Sequence, residues 1–240
     1  MDKFNYRTHL VFFLFLISNS VVLFAQSLRN NEIHRAYDKL VGIENAGFYN
    51  GPEFKDEYTN SSGVSRYFNE NVFAQNSIEY KGQLYTNVLL EYDIFSDNII
   101  TRSDDYLSNF IVRLIPEYIS AFSLNGHDFV RLTDTKMDME GNGFYEIASV
   151  GNLFQLYIKH IRKKKERTVD LTVQHSFASQ NYFLLQYKGS YNIISSTKDF
   201  KKVIPDRYNE VQKFRRDYKT LHKADIDGFM IKLIEYLQGY

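Results

Sequence analysis

Residues 84–94 read LYTNVLLEYDI, and this stretch decides the fold class. Apolar residues dominate its even-numbered positions, which are Leu84, Thr86, Val88, Leu90, Tyr92 and Ile94. The odd-numbered positions include the polar residues Asn87, Glu91 and Asp93. This period of two predicts a β-strand with one buried face and one solvated face. The preceding Lys81-Gly82 predicts a tight turn that pairs the strand with residues 77–80.

Further strands are predicted on either side of glycine-containing turns. The turns are Asn125-Gly126, Gly151-Asn152 and Lys188-Gly189-Ser190, and they join residues 118–124 with 128–132, 144–150 with 154–161, and 182–187 with 191–194. Residues 110–115 form another short apolar run, which Pro116 ends. Residues 47–73 are rich in Gly, Asn and Ser and have little periodicity. We expect irregular structure there, with one strand at most.

The period changes to that of a helix near Ser196. Ser196 and Asp199 resemble a capping box, which predicts a short helix, and Pro205 suits the first turn of a longer helix that runs to about Lys219. Asp225 or Asp227 should cap the last helix. Its apolar stripe is Phe229, Met230, Leu233, Ile234 and Leu237. The chain is therefore expected to be a single α+β domain over residues 26–240, with a curved antiparallel sheet mainly in 76–194 and two or three helices mainly in 196–238.

The first 25 residues have the pattern of a secretory signal peptide. Lys3 and Arg7 precede an apolar stretch, and Ala25 offers a cleavage point. The chain has no Cys, which excludes a lipidated cysteine after cleavage. Later apolar runs are shorter than the roughly 20 residues that a membrane-spanning helix needs. We therefore expect an exported protein, in the periplasm or at the cell surface or beyond, that is not a lipoprotein and has no membrane span after cleavage.

The net charge of zero conceals two oppositely charged halves. Residues 26–152 carry 10 basic and 19 acidic residues, whereas residues 153–240 carry 17 basic and 9 acidic residues. The two halves could neutralise each other within the fold, or the basic half could contact an anionic surface. Export makes nucleic acid an unsuitable partner.

The strongest charge run is Arg162, Lys163, Lys164, Lys165 and Arg167. Its simplest interpretation is a solvated hairpin loop before a possible strand at 169–173. The alternative is an anion-binding finger, which further basic residues on the predicted helices would support: Lys198, Lys201, Lys202, Arg215 and Arg216.

Two acidic patterns were considered as sites. Glu91 and Asp93 should place their carboxylates about 7 Å apart on one strand face, a separation that glycosidases use, but any solvated strand face also carries polar residues. A partial calcium loop, Asp138, Glu140, Asn142 and Gly143, lacks the acidic ligand at its twelfth position, which is Ser149. We assign no catalytic, cofactor or metal residue from the sequence.

The six histidines show no metal-ligand spacing. They are His9, His34, His127, His160, His175 and His222. His160 follows Phe154, Leu156 and Ile158 on an apolar strand face, so we expect it to be a core histidine with satisfied hydrogen bonds.

Several stretches of the chain recur together in a known group of proteins. They are YKGQLYTNV at 80–88, Tyr92-Asp93-Ile94, Gly143-Phe144-Tyr145-Glu146, residues 198–203, Ile204-Pro205-Asp206 and the signal-peptide ending Phe24-Ala25-Gln26. In this combination the chain resembles an uncharacterised family of small exported proteins of Bacteroidota. The resemblance implies an exported location and one family architecture over most of the mature chain. It implies no activity, ligand or catalytic residue.

The sequence therefore favours a non-enzymatic envelope protein. The chain holds 19 Tyr and 20 Phe, and no nucleophile, phosphate-loop or dinucleotide motif is present. A sheet rich in aromatic residues and backed by helices suits a lipophilic ligand or an envelope partner. The alternatives are a hydrolase of envelope polymers, with Glu91 and Asp93 as its candidate carboxylates, and a structural subunit of an envelope complex.

Overall fold

The structure is a computed structural model that describes residues 47–58, 62–68, 72–102, 111–133, 142–169 and 172–239. The chain divides into two compact units, Met1–Phe48 and Tyr49–Tyr240, and the account below concerns the second. The predicted signal peptide, His9, His34, Asp138 and Glu140 lie outside the described residues.

Thirteen strands and four short helices make up the described chain. The strands are β1 (Ser62–Gly63), β2 (Ala74–Tyr80), β3 (Gln83–Asp93), β4 (Asn98–Arg102), β5 (Ile111–Arg113), β6 (Ile119–Leu124), β7 (His127–Leu132), β8 (Gly143–Val150), β9 (Phe154–Lys159), β10 (Arg162–Val169), β11 (Thr172–Ser179), β12 (Tyr182–Tyr187) and β13 (Ser190–Ile194). The helices are α1 (Phe200–Val203), α2 (Tyr208–Asp217), α3 (Lys219–Ala224) and α4 (Ile226–Gln238). Single 3₁₀ turns cover Gly47–Tyr49, Pro116–Tyr118 and Pro205–Arg207.

Ten of the strands form one antiparallel sheet. Its order is β13-β12-β9-β8-β7-β6-β2-β3-β4-β5, so β13 and β5 are its edges. A second sheet has the order β1-β11-β10, in which β10 and β11 are antiparallel and β1 pairs with β11 in parallel. The predicted α+β architecture, an antiparallel sheet followed by C-terminal helices, is confirmed. No described helix has both the length and the apolar character of a membrane span.

The hairpin turns form where their dipeptides predict them. The pairs Lys81-Gly82, Asn125-Gly126 and Lys188-Gly189 all adopt positive φ, with values of 53° and 75°, 53° and 83°, and 50° and 74°. Two consecutive residues at positive φ give the tight turn whose twist matches that of paired strands. These turns fix the registers of β2 with β3, β6 with β7, and β12 with β13.

The expected alternation in 84–94 is broken by a bulge at Asn87. Asn76 pairs with Val88 and Ser77 pairs with Thr86, so Asn87 has no opposite residue, and its φ is 58°. The extra residue reverses the phase of the strand. Before the bulge the buried residue is Tyr85 and Leu84 is exposed, contrary to the prediction, whereas after it the even positions are buried as expected.

The prediction that Glu91 and Asp93 face solvent is wrong. Both faces of the end of β3 are covered, and the two carboxylates are 2% and 0% exposed. Residues 66–68 cause this burial, because they run alongside β3 and bond to its backbone. Phe68 N donates to Tyr92 O (2.9 Å), and Ile94 N donates to Arg66 O (3.0 Å).

The main apolar core lies between the strands at the β13 side of the large sheet and the helices. Phe154, Leu156, Ile158, Phe183 and Leu185 supply its sheet side. The helix side includes the predicted stripe of α4, all of whose members are at most 1% exposed. Asp225 caps α4 by accepting from Gly228 N (2.9 Å), whereas Asp227 accepts from the Asn181 amide (2.8 Å). Of the two capping candidates, Asp225 is therefore the cap.

Two local predictions in the second half need correction. Arg162–Val169 is a strand and not a loop, because it pairs with β11 along its whole length. The helix expected to run to about Lys219 ends at Asp217, since Tyr218 leaves the helical conformation (φ −108°, ψ 33°) and α3 begins after it. Pro205 opens a 3₁₀ turn that leads into α2.

Candidate functional site

Asp93 is held in a fully bonded ion pair with Arg66. Arg66 Nε donates to Asp93 Oδ1 (3.1 Å), and Arg66 Nη2 donates to Asp93 Oδ2. The Asp93 carboxylate also accepts from the backbone N–H groups of Phe95 (3.1 Å) and Ser96 (3.4 Å) and from the Ser96 hydroxyl. The acceptor sites of this carboxylate are filled by donors from Arg66 and from the loop after β3. These contacts fix the loop and give Asp93 a structural role.

Arg66 joins three segments of the chain. Its Nη1 donates to Asp56 (2.9 Å), and its guanidinium carbon lies 4.9 Å from the ring centre of Tyr58 and 5.7 Å from that of Phe95. A cavity of about 360 Å³ opens beside it. Its charged lining residues are Glu53, Lys55, Glu57, Arg66 and Arg113. Both signs are present, and Arg66 is neutralised by its partners, so this cavity has no dominant charge with which to attract an ion.

Glu91 lies close enough to this ion pair to interact electrostatically with both Asp93 and Arg66. The pKa of Glu91 is raised to about 7, mainly by burial and in part by the negative charge of Asp93. A buried carboxyl with this pKa suits a general acid. However, its neighbour Asp93 is already bonded to Arg66, so Glu91 and Asp93 do not form the pair of available carboxylates that a glycosidase would need.

A second buried group links two histidines through one carboxylate. Glu146 accepts at 2.6 Å from each ring, Oε1 facing His127 Nδ1 and Oε2 facing His160 Nε2. Burial would raise the pKa of Glu146, but the bonds to His160 and His127 outweigh it and lower the pKa. His160 is buried and bonded, as predicted. Within the described segments, no group of three or more acidic or histidine side chains is arranged to hold a metal ion.

A third buried group surrounds Asp97. Its carboxylate accepts from Lys159 Nζ (2.6 Å) and from the Tyr92 hydroxyl (2.5 Å). Burial lowers the pKa of Lys159, although Asp97 acts in the opposite direction. Lys159 is thus a buried cation with a carboxylate directly against it, and this arrangement stabilises the junction of β4, β8 and β9.

A smaller cavity of about 210 Å³ lies between the edge of the large sheet and the helices. Its apolar walls are Phe183, Ile194, Ile226 and Met230. Phe183 and Ile194 are directly paired on β12 and β13, and Met230 faces them from α4. The walls are therefore set by the same packing that forms the main core.

The rim of this cavity is cationic. Lys198, Arg215 and His222 line it, and they come from the loop before α1, from α2 and from α3. Among the described residues, no carboxylate lies within salt-bridge distance of any of the three. Burial, together with the charge of Arg215, lowers the pKa of His222. Uncompensated positive charge over an apolar floor distinguishes this cavity from the one beside Arg66. We call it the rim cavity.

A short loop fixes the shape of the rim. Asp199 Oδ2 accepts from the backbone N–H groups of Ser195 (3.1 Å) and Ser196 (2.8 Å), and Ser196 Oγ accepts from Lys198 N (3.3 Å). The bond from Ser196 N to Asp199 is the one that the predicted capping box requires, but Ser196 Oγ accepts from Lys198 N and not from Asp199 N, and α1 begins at Phe200 without a side-chain cap. The loop therefore holds Lys198 at the cavity mouth.

Sequence reasoning named the rim residues but did not bring them together. Lys198 and Arg215 were grouped as basic helix residues, and His222 was considered isolated, because tertiary packing alone joins them. The pairing of Glu146 with His160 was missed although a signal existed. The hairpin predicted at Gly151-Asn152 places Glu146 opposite Ile158, which precedes His160 by two residues. Arg66, in a segment with little periodicity, offered no such signal.

The comparisons with known proteins add no relative. No protein-family model matches the chain, and no curated protein or solved structure matches it significantly. The geometry of the described residues is therefore the basis on which a function can be proposed.

Proposed function

We propose that this protein is a non-enzymatic binding protein for a small lipophilic anion, held in the rim cavity. One observation carries the proposal: an apolar cavity has two cationic side chains, Lys198 and Arg215, and the titratable His222 at its mouth, and no carboxylate pairs with any of the three in the described chain. A ligand with a short hydrocarbon body and a carboxylate would satisfy both features.

The size of the rim cavity limits the ligand. Its 210 Å³ is below the roughly 300–1,000 Å³ of pockets for drug-sized molecules. A medium-length acyl chain or a single aromatic ring fits this volume better than a complete phospholipid. Residues 1–25 predict that the protein is exported, so we expect it to bind this ligand outside the cytoplasm.

Octanoate is a suitable probe for the proposal. We would titrate the protein lacking residues 1–25 with octanoate and follow backbone amide shifts by NMR, with octanol and octylammonium as uncharged and cationic controls. Octanoate should shift the amides of residues 194–198 and 226–230 and should bind more tightly than either control. Equal binding of octanol, or shifts that map elsewhere, would contradict the proposed site.

Matched variants test the contribution of the rim. Lys198→Ala and Arg215→Ala should each weaken octanoate binding by about twofold to fivefold, the effect of a partly exposed ion pair. The controls are Lys201→Ala and Arg216→Ala, exposed neighbours that do not line the cavity. A variant pair that weakens binding no more than its controls would remove the role of the rim charges.

A further inference from the structure

The hairpin β10–β11 has two different faces. Side chains alternate along β10, so Lys163, Lys165 and Arg167 share one face while Lys164 and Glu166 share the other. On the second face Lys164 Nζ pairs with Glu166 (2.8 Å) and approaches the Tyr58 ring. On that face Lys164 therefore contacts the rest of the protein at Tyr58, and the charges of Lys164 and Glu166 compensate each other.

The first face carries positive charge alone. Lys163, Lys165 and Arg167 are exposed and belong to no salt bridge among the described residues. Their opposite residues on β11 are Ala178, Ser176 and Gln174, none of which is acidic. The strand geometry spaces the three cations by about 7 Å. We call Lys163, Lys165 and Arg167 the cationic row.

The outer edge of β10 also presents backbone N–H and C=O groups that can form hydrogen bonds. In the described chain, β10 pairs only with β11 and is the last strand of its sheet. On the other side of β11, Val64 N donates to Phe177 O (3.3 Å), so Phe177 directs its backbone towards β1. Lys164 is the direct partner of Phe177 on β10, so these two residues form a non-hydrogen-bonded pair and Lys164 also directs its backbone away from its partner strand. The same holds for every second residue of β10. The backbone N–H and C=O groups of Lys164, Glu166 and Thr168 therefore point to the free edge.

We propose that β10 binds an extended acidic peptide segment of a partner protein by strand addition. A peptide strand added at this edge bonds to the backbone of Lys164, Glu166 and Thr168. Its side chains repeat every two residues, as those of β10 do, so acidic residues at alternate positions meet the cationic row one by one. These contacts occur in the non-hydrogen-bonded pairs, where side chains approach most closely.

Other occupants fit the same edge less well. A second copy of the chain would place cations opposite cations if β10 paired with β10, which opposes association. A single nucleic-acid strand is held by aromatic side chains that stack on its bases, and the face of the cationic row has none among its six residues. The single line of charges also suits a linear partner better than a planar lipid surface.

A synthetic peptide with alternating charge tests the proposal. We would titrate the protein lacking residues 1–25 with acetyl-TETETET-amide and measure binding by fluorescence anisotropy of a labelled copy. Two controls accompany it: acetyl-TTEEETT-amide, which has the same charge without alternation, and the first peptide with N-methyl groups on its Thr residues. The alternating peptide should bind at least fivefold more tightly than either control.

Protein variants locate the binding. The triple variant Lys163→Gln, Lys165→Gln, Arg167→Gln should weaken binding of the alternating peptide by about tenfold, and Lys201→Gln, Lys202→Gln, Lys213→Gln, which removes the same charge from exposed helix positions, should leave it unchanged. Circular dichroism checks that both variants fold. Equal binding of the three peptides, equal loss in the two triple variants, or the absence of millimolar binding would each overturn strand addition. Binding of polyglutamate or anionic vesicles at the same affinity would show charge attraction alone.

Discussion

The ammonium group of Lys159 lies 2.6 Å from the carboxylate of Asp97, and this ion pair occupies the space where a side chain at position 143 would stand. Gly143 has a φ of 123°, and a Cβ atom placed on it would collide with both Asp97 Oδ2 and Lys159 Nζ. The first residue of β8 must therefore be glycine for two independent reasons, its backbone conformation and the ion pair beside it.

Gly143→Ala should lower the free energy of unfolding by about 3 kcal/mol or more, because it adds backbone strain and separates a largely buried ion pair. Urea denaturation measures the change. The control is Gly189→Ala, which has a φ of 74° but open space around its Cβ position. The free energy of unfolding of this control should fall by only about 1–2 kcal/mol, because the substitution adds backbone strain alone. Equal losses would mean that the ion pair does not require Gly143.

Arg66→Met should lower the free energy of unfolding by about 3–5 kcal/mol, since it leaves the buried carboxylate of Asp93 and the partly buried carboxylate of Asp56 without their cation. Arg113→Met, at an exposed position that lines the same cavity, should change it by less than about 0.5 kcal/mol. Adding Asp93→Asn to Arg66→Met should recover part of the loss. A double variant less stable than Arg66→Met alone would contradict this account of the pair.

Glu91→Gln should stabilise the protein at alkaline pH. The pKa of Glu91 is about 7 in the folded protein and 4.5 for a free Glu side chain, so the folded state holds a proton that the unfolded state has lost between these values. Native Glu91 therefore lowers stability as the pH rises from 4.5 to 7. Replacing Glu91 with Gln should increase the free energy of unfolding by at most about 3 kcal/mol at pH 8, and should change it little at pH 4.5.

Thermal unfolding at the two pH values measures this difference. Glu79→Gln on β2 is the exposed control and should show no gain at pH 8. A destabilised Glu91→Gln variant at pH 8 would show that the favourable contacts of the ionised carboxylate outweigh the cost of burying its charge.

Asn87→Val should lower the free energy of unfolding by about 1–2 kcal/mol, because a β-branched residue tolerates the positive φ of the bulge poorly. Asn87→Gly should retain or slightly increase stability, since glycine adopts this conformation freely. Urea denaturation of the two variants side by side tests the bulge. If the valine variant matched the native stability, the strand would have to pair without the extra residue.

Binding of a lipophilic anion should become tighter as the pH falls. The anion favours protonated His222, whose pKa burial and Arg215 lower, so the increase should occur below about pH 6.5. Its size should reach at most about fivefold, the equivalent of 1 kcal/mol. Octanesulfonate is the probe of choice, because it remains ionised over this range. Isothermal titration at pH 8 and pH 5.5 should show the change in the native protein and not in His222→Gln.

Local features of this fold could be predicted from the sequence. The positive φ of Lys81-Gly82 and the Asp225 cap depend on neighbouring residues alone, and the stripe of α4 follows from helical spacing. The burial of Glu91 and Asp93 could not be predicted, since the residues that cover them are Arg66 and its neighbours, about 25 residues earlier in the chain. The bulge was missed because Asn87 also suits a solvated strand position.

The candidate sites were less predictable than the fold. Lys198, Arg215 and His222 belong to different elements, and no sequence spacing joins them. From sequence alone, a solvated loop is the simplest interpretation of the basic run. In the structure strand alternation divides the run between two faces, so that Lys164 pairs with Glu166 while Lys163 and Lys165 remain in solvent.

The position of β2 in the large sheet has a consequence for how the protein folds. Strands β2 to β5 are successive neighbours, as are β6 to β9, and among the described strands the pairing of β2 with β6 is the one backbone ladder that joins the two series. Each series consists of hairpins that close over short loops, so each can form early and locally. The contact of Ile78 with Phe122 across that junction bridges a much longer loop. The two series are therefore expected to form separately, with pulse-labelling hydrogen exchange during refolding reporting the β2–β6 junction as the last to form.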